Sequence, residues 1–268
     1  MLSTMDLRLA VLIDADTVPS DRLKEMMEEV AKYGTPTFKR IYGDWTNPHL
    51  NRWKQDLLQH AIIPIQQYGY TQGKNSTDSA MIIDAMDILY SGKVDGFCIV
   101  SSDSDFTRLA LRLREAAMFV IGMGQRKTPM PFIAACNKFI YIEILTQAKK
   151  SDKVAAELPI ETGIKEIDQE LISLLQESVD NLADDDGWAF LGEVGTLLLK
   201  KQPDFDPRNY GVQKLAQLVK KTAVFLIDER VSEKSSRNIK HIYIKSIPPD
   251  QSVNKRQSKT NRRQSNSK

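Results

Sequence analysis

Three aspartates stand where apolar segments of the chain break off or resume. Leu9-Ala10-Val11-Leu12-Ile13 runs directly into Asp14-Ala15-Asp16, and Phe97-Cys98-Ile99-Val100 runs into Ser101-Ser102-Asp103-Ser104-Asp105. Asp78 follows a polar connection, Tyr70 to Thr77, and opens a helical pattern. Apolar runs rich in β-forming residues that end in carboxylates read as strands with acids at their C-terminal ends, which is where open α/β sheets hold ligands. Carboxylates gathered there repel and raise one another's pKa unless a cation neutralises them. Hard oxygen donors select Mg²⁺ or Mn²⁺ over softer metals. The chemistry within reach is metal-dependent phosphoryl transfer, with Asp14, Asp78 and Asp103 as ligands, directly or through water. Asp105, two residues past Asp103, either reaches the metal or orients a bound water. Asp16 reads equally well as a solvated turn residue, and Lys74, in the loop feeding Asp78, could neutralise a phosphate oxygen. Capping offers each acid a plainer role, since Asp103 or Ser104 and Thr77-Asp78 suit helix N-termini. Capping does not require acids at two strand ends and a helix start together. His49 and His60 lack metal-ligand spacing and read as surface or interhelical residues.

The elements that must position these acids alternate along residues 1–145. Strands are expected at Leu9–Ile13, Phe38–Tyr42, Ile62–Gln66, Phe97–Val100 and Met118–Ile121, with a final apolar segment at Phe139–Ile144. Between them, Leu23, Met26, Met27 and Val30 recur at helical spacing after Pro19 and end at Gly34; Leu50, Trp53, Leu57 and Leu58 form a second helical face. A helix bearing Met81, Ile82, Ala85, Met86 and Leu89 closes at Gly92, another runs from about Ser104 to Glu115, and Phe132 to Cys136 makes a short one. Such alternation argues for a parallel sheet covered on both faces. If the first and fourth strands are neighbours, Asp14 and Asp103 face each other across the crevice.

Ile41-Tyr42-Gly43-Asp44-Trp45, Gly73-Lys74-Asn75-Ser76-Thr77-Asp78 and Val100-Ser101-Ser102-Asp103-Ser104-Asp105-Phe106 closely resemble the bacterial NYN domain family, nuclease-like members of the PIN superfamily. The similarity covers roughly residues 7–145. It implies a Rossmann-like PIN fold and a metal-dependent ribonuclease centre built from Asp14, Asp78, Asp103 and Asp105. Two positions depart from the family pattern: Thr17 stands where Asn is common, and Arg108 where Pro is common. Thr17 keeps a hydroxyl that can orient a water or phosphate oxygen but lacks the amide.

Beyond a charged stretch with little apolar periodicity, residues 146–162, a second pattern begins. Ile164, Ile167, Leu171, Leu174 and Leu175 predict one helix, Val194 to Leu199 a second ending near Lys201, and Tyr210, Val212, Leu215, Leu218 and Val219 a third. Strands Val224–Asp228 and Ile239–Ile244 flank a polar tip at Ser232–Asn238, so three helices and a two-stranded wing read as a winged helix. Asp204-Phe205-Asp206-Pro207-Arg208-Asn209-Tyr210-Gly211 with Lys214-Leu215 resembles the LOTUS domain, also called OST-HTH, over about residues 163–246. That family resemblance implies RNA or a protein as partner. Arg208, Lys214, Lys220 and Lys221, near the third helix, are candidate phosphate contacts, or alternatively a solvated helix face.

Charge is distributed by region: +1 over 1–150 (18 basic, 17 acidic), −5 over 151–250 (13 and 18) and +6 over 251–268 (six and none). The tail from 247 has too few apolar residues to order itself and can bind phosphates without sequence preference. Two cysteines, Cys98 and Cys136, in different elements argue against a disulfide framework and for a reducing, cytoplasmic setting. No run approaches a membrane span. These readings converge on an α/β, Rossmann-like PIN/NYN domain over 1–145, a linker over 146–162, a winged-helix LOTUS domain over 163–246 and a disordered basic tail over 247–268. The expected function is a ribonuclease dependent on Mg²⁺ or Mn²⁺, acting on RNA with DNA possible. A catalytically inactive RNA- or protein-binding adaptor is the rival, favoured by Thr17.

Overall fold

A computed structural model describes residues 6–68, 76–149, 164–231 and 240–247. Lys74 with its loop, residues 150–162 of the expected linker, the hairpin tip and residues 248–268 of the basic tail lie outside the described residues. The chain divides into two compact units, residues 1–160 and 161–268, except that Gln202–Asp204 group with the first.

The first unit is a six-stranded parallel sheet. Its strands are β1 (Leu7–Asp14), β2 (Gly34–Gly43), β3 (Ile63–Gln66), β4 (Gly96–Val100), β5 (Phe119–Gly124) and β6 (Lys138–Tyr141), in the order β3-β2-β1-β4-β5-β6. The helices are α1 (Leu23–Val30), α2 (Lys54–His60), α3 (Ser76–Tyr90), α4 (Thr107–Glu115) and α5 (Met130–Ala135). Strand order reverses direction after β3, so right-handed crossovers put α1 and α2 on one face and α3, α4 and α5 on the other. Accordingly α3 packs over β1 and β2, and α4 over β5 and α5. Every residue of β4 and the last six of β1 are buried, as expected for strands covered on both faces. Leu9 to Ile13 are wholly inaccessible. At about 1.5–3 kcal/mol for each large aliphatic side chain buried, this pair of strands is the anchor of the unit.

Among the boundaries that differ from the sequence reading, three matter for the sheet. Gly34 starts β2 opposite Leu7 instead of merely ending the preceding helix. β5 begins at Phe119 and runs on to Gly124. The last apolar segment is half strand, turning after Tyr141 into a 3₁₀ run over Ile142–Lys149.

The second unit comprises α6 (Gln169–Asp180), β7 (Ala189–Phe190), α7 (Leu191–Lys201), α8 (Leu215–Thr222), β8 (Phe225–Val231) and β9 (Lys240–Ser246). Leu171, Leu175, Val194, Leu198, Leu218 and Ile244 lie at its core. The first two helices are as expected, but α6 starts late because the Asp168 carboxylate caps it, accepting from Leu171 N at 2.8 Å. The expected third helix is split. Pro207–Tyr210 form a 3₁₀ turn that Gly211 ends at φ 71°, a conformation favoured by glycine, and α8 begins only at Leu215. The wing is also larger than two strands: β7 pairs antiparallel with β9, giving the order β7-β9-β8. A two-residue strand carries too little periodicity to be read from sequence. Among the described residues no helix is long and apolar enough to cross a membrane.

Candidate metal centre

The acids stand at the switch point of the sheet. β1 and β4 are parallel neighbours with Ile13 opposite Val100, so their next residues, Asp14 and Ser101, emerge side by side. Asp14 is 2% exposed, and both of its carboxylate oxygens accept hydrogen bonds. Oδ1 accepts from Asp16 N at 3.0 Å, while Oδ2 accepts from the hydroxyls of Thr17 at 2.7 Å and Ser101 at 2.8 Å. Those hydroxyls in turn hold the loop after β4: Ser101 Oγ accepts from Asp103 N at 3.0 Å and Thr17 Oγ1 from Ser102 N at 3.3 Å. Asp103 caps the following 3₁₀ turn by accepting from Asp105 N at 2.9 Å. Phe106, with no exposed surface, pins that turn to the core. Across the crevice, Asp78 lies in the first turn of α3.

Carboxylate oxygens of Asp78, Asp103 and Asp105 all lie within 4.8 Å of one another. Two oxygens bound to one Mg²⁺ at about 2.1 Å can be no more than about 4.2 Å apart, close to the spacing of this set. Burial, then the charges of Asp14, Asp103, Asp105 and Asp16, push the Asp78 carboxyl up to about 6. Partial desolvation, then Asp14 and Asp44, raise Asp16 as well. An all-oxygen donor set with this excess of negative potential fits a hard divalent cation.

The sequence reading grouped Asp14 with Asp78 and Asp103 as ligands and set Asp105 apart. The geometry brings Asp105 together with Asp78 and Asp103, and gives the Asp14 oxygens to hydroxyl and amide donors. Sequence reasoning missed Ser101, whose place between the last buried residue of β4 and the acids is the available signal. It also missed a tie behind the site. Asp84, on α3, receives hydrogen bonds from both Arg40 and Tyr42 of β2, and burial followed by the bond to Asp84 raises the Tyr42 hydroxyl far above its ordinary value. Tyr42 pairs with Asp14 in the β1–β2 register, so this tie fixes α3 beside the strand that carries Asp14.

Of the basic candidates, Lys214, Lys220 and Lys221 are exposed. Lys214 precedes α8 and the other two close its last turn. Arg208 forks the Asp206 carboxylate, with Nε–Oδ1 3.0 Å and Nη2–Oδ2 2.7 Å, and its side chain is only 12% exposed.

Comparison with known proteins follows the same division. Residues 8–143 match the model of the NYN domain and residues 163–236 that of the OST-HTH/LOTUS domain. No curated protein gives a significant match. Among solved structures, a crystal structure of a protein of unknown function from Vibrio parahaemolyticus is 19% identical, covering 53% of this chain and 96% of its own, with a TM-score of 0.44. A solution structure of an uncharacterized protein from Nitrosomonas europaea is 35% identical over 37% of this chain and 89% of its own, with a TM-score of 0.29. A solution structure of part of a protein from Chromobacterium violaceum is also 35% identical, over 30% and 82%, with a TM-score of 0.24. The NYN match spans just over half of the 268 residues and coincides with the sheet that carries the aspartates, and the chain therefore belongs to the NYN domain family, with an OST-HTH/LOTUS domain following.

Proposed function

We propose that the chain is a ribonuclease dependent on Mg²⁺ or Mn²⁺, acting in a reducing, cytoplasmic setting, with Asp78, Asp103 and Asp105 as the cation-holding group. The observation that carries this reading is the convergence of those three carboxylates within 4.8 Å at the switch point of an NYN sheet. A bound divalent cation supplies charge neutralisation and polarisation of the scissile phosphate and its attacking water. The chain's own work is positional. Asp14 holds the Ser101 and Thr17 hydroxyls, these hold the amides of Asp103 and Ser102, and the loop is thereby prevented from drifting as negative charge enters. Such preorganisation spares the site a reorganisation cost when phosphate binds.

The test is incubation of the purified chain with labelled RNA and DNA in Mn²⁺, Mg²⁺ or chelator, beside Asp103→Asn. Cleavage of RNA that requires the cation and falls about 100-fold or more in the variant supports the reading. A second reading, RNA binding without cleavage, is favoured by Thr17, whose hydroxyl is already committed to Asp14 and Ser102 N. Tight RNA binding with no cation-dependent cleavage would establish it.

A further inference from the structure

Between the β7–α7 junction, the start of α8 and the first residues of β9 lies a shallow cavity, open to solvent, of about 380 Å³. Phe190, Leu215 and Ile242 line it with apolar surface, and Lys214 and Lys240 belong to its lining from two different elements. Its aromatic wall is fixed. The Phe190 ring meets His241 edge-on at 5.4 Å between centroids and Tyr243 at 5.7 Å. Helix α7 closes directly on that ring through Gly192, where a Cβ would fall 2.7 Å from the ring. Both lysines are exposed, and Lys240 pairs with exposed Glu229 at 3.3 Å, an ion pair weak enough to exchange its carboxylate for a phosphate.

A planar aromatic wall calls for a flat apolar group, and the two cations call for negative charge beside it. We propose that it receives one unstacked base of single-stranded RNA, stacked on Phe190, with flanking phosphates at Lys214 and Lys240. Aromatic stacking of bases within a cationic groove is the general means of holding single strands. The inference rests on the reading of the chain as RNA-acting, and it does not depend on cleavage.

Binding of the full chain to fluorescein-labelled oligouridine, measured by anisotropy in chelator to prevent turnover, is compared with binding to an abasic RNA backbone of equal length. The wild type binds oligouridine about tenfold more tightly, the order of one stacked base. Ala216→Phe, which fills the cavity, and Phe190→Leu, which keeps an apolar wall without a stacking face, each abolish that preference and preserve the salt dependence. Lys214→Glu/Lys240→Glu weakens both ligands and flattens the salt slope, because fewer counterions are released. Thermal unfolding identifies any variant that has not folded, and the other cavity variant then decides. Equal wild-type affinity for the two ligands overturns the proposal, as does full base preference in a folded cavity variant. An acidic amphipathic peptide that occupies the cavity without displacing oligouridine also overturns it. Because no cation is present, base preference without nuclease activity sinks only the nuclease reading, and cleavage without base preference sinks only this one.

Discussion

At the residue scale, the two kinds of aspartate in the crevice have different physical situations. Asp14 is buried and accepts hydrogen bonds from three donors. Asp78 is half-buried, and that burial together with the charges of four other carboxylates holds its carboxyl up at about 6. Neutralising Asp78 relieves that crowding. Asp78→Asn is therefore expected to stabilise the protein in chelator by about 1 kcal/mol after discounting for solvent screening, and to abolish the rise in melting temperature that Mn²⁺ gives the wild type. Scanning fluorimetry with and without Mn²⁺ checks both effects, and a variant that still gains stability from Mn²⁺ would place the cation elsewhere. Asp14→Asn behaves oppositely, destabilising the protein in chelator, because an amide in place of the carboxylate weakens the bonds from Thr17, Ser101 and Asp16.

At the element scale, two ion pairs register the sheet and its covering helix. The first joins β1 to the start of β4. Arg8 Nε and N donate to Asp95 Oδ2, each at 2.9 Å, Nη2 donates to Oδ1 at 2.8 Å, and Asp95 N returns a bond to Arg8 O. These bonds from Arg8 hold the Asp95 carboxyl down at about 2. A depressed carboxylate contributes stability above its unfolded pKa, about 3.9, and loses it as pH falls toward 2. The urea midpoint of Asp95→Asn should lie below that of the wild type at neutral pH, with the gap narrowing below about pH 4. A gap independent of pH would mean that charge at Asp95 contributes nothing. The second tie is Asp84 with Arg40 and Tyr42, whose ion pair is partly buried at 27% and 19% exposed. Asp84→Ala leaves both donors without this acceptor and should cost about 2–3 kcal/mol. Because α3 also carries Asp78, the same variant should bind Mn²⁺ more weakly; isothermal titration on the folded variant separates this from stability.

At the scale of the whole molecule, two family matches, two cores and two sheets describe an RNA-acting, nuclease-like chain with a winged-helix companion. A unit with its own closed core should fold without the other. Residues 1–148 alone are expected to unfold cooperatively by calorimetry and to retain the cation-dependent activity, with weaker capture of RNA. Limited proteolysis should cut first between about residues 146 and 162. Insolubility of that fragment would argue for one shared core. The basic tail, with six cationic residues and no acidic ones over 251–268, supplies positive charge against the net −5 of residues 151–250. Its deletion should weaken RNA and DNA binding almost uniformly and reduce the slope of log affinity against log salt. Equal slopes for the full and shortened chains would assign binding to the folded units.

Much of this was legible in the residues themselves, for identifiable reasons. Continuous apolar runs such as Leu9–Ile13 and Phe97–Val100 suit strands buried on both faces, as in a parallel sheet covered by helices, and the acids that end them mark its ligand-binding edge. The right-handed crossover rule then leaves few topologies. Gly211 likewise signalled a turn, although its φ of 71° was needed to show that it splits the expected third helix. Tertiary structure decided what depends on distance across the fold. Which of four aspartates cluster is set by side-chain direction at two strand ends and one helix start, quantities that spacing along the chain does not encode. Ser101 and Thr17, 84 residues apart, became one hydroxyl pair on Asp14 only when β1 and β4 paired. The cavity of the second unit is built from three elements distant in sequence, and β7 exists as a strand only because β9 supplies its hydrogen-bonding partners. Periodicity reports which face of an element is apolar; packing alone determines what that face meets.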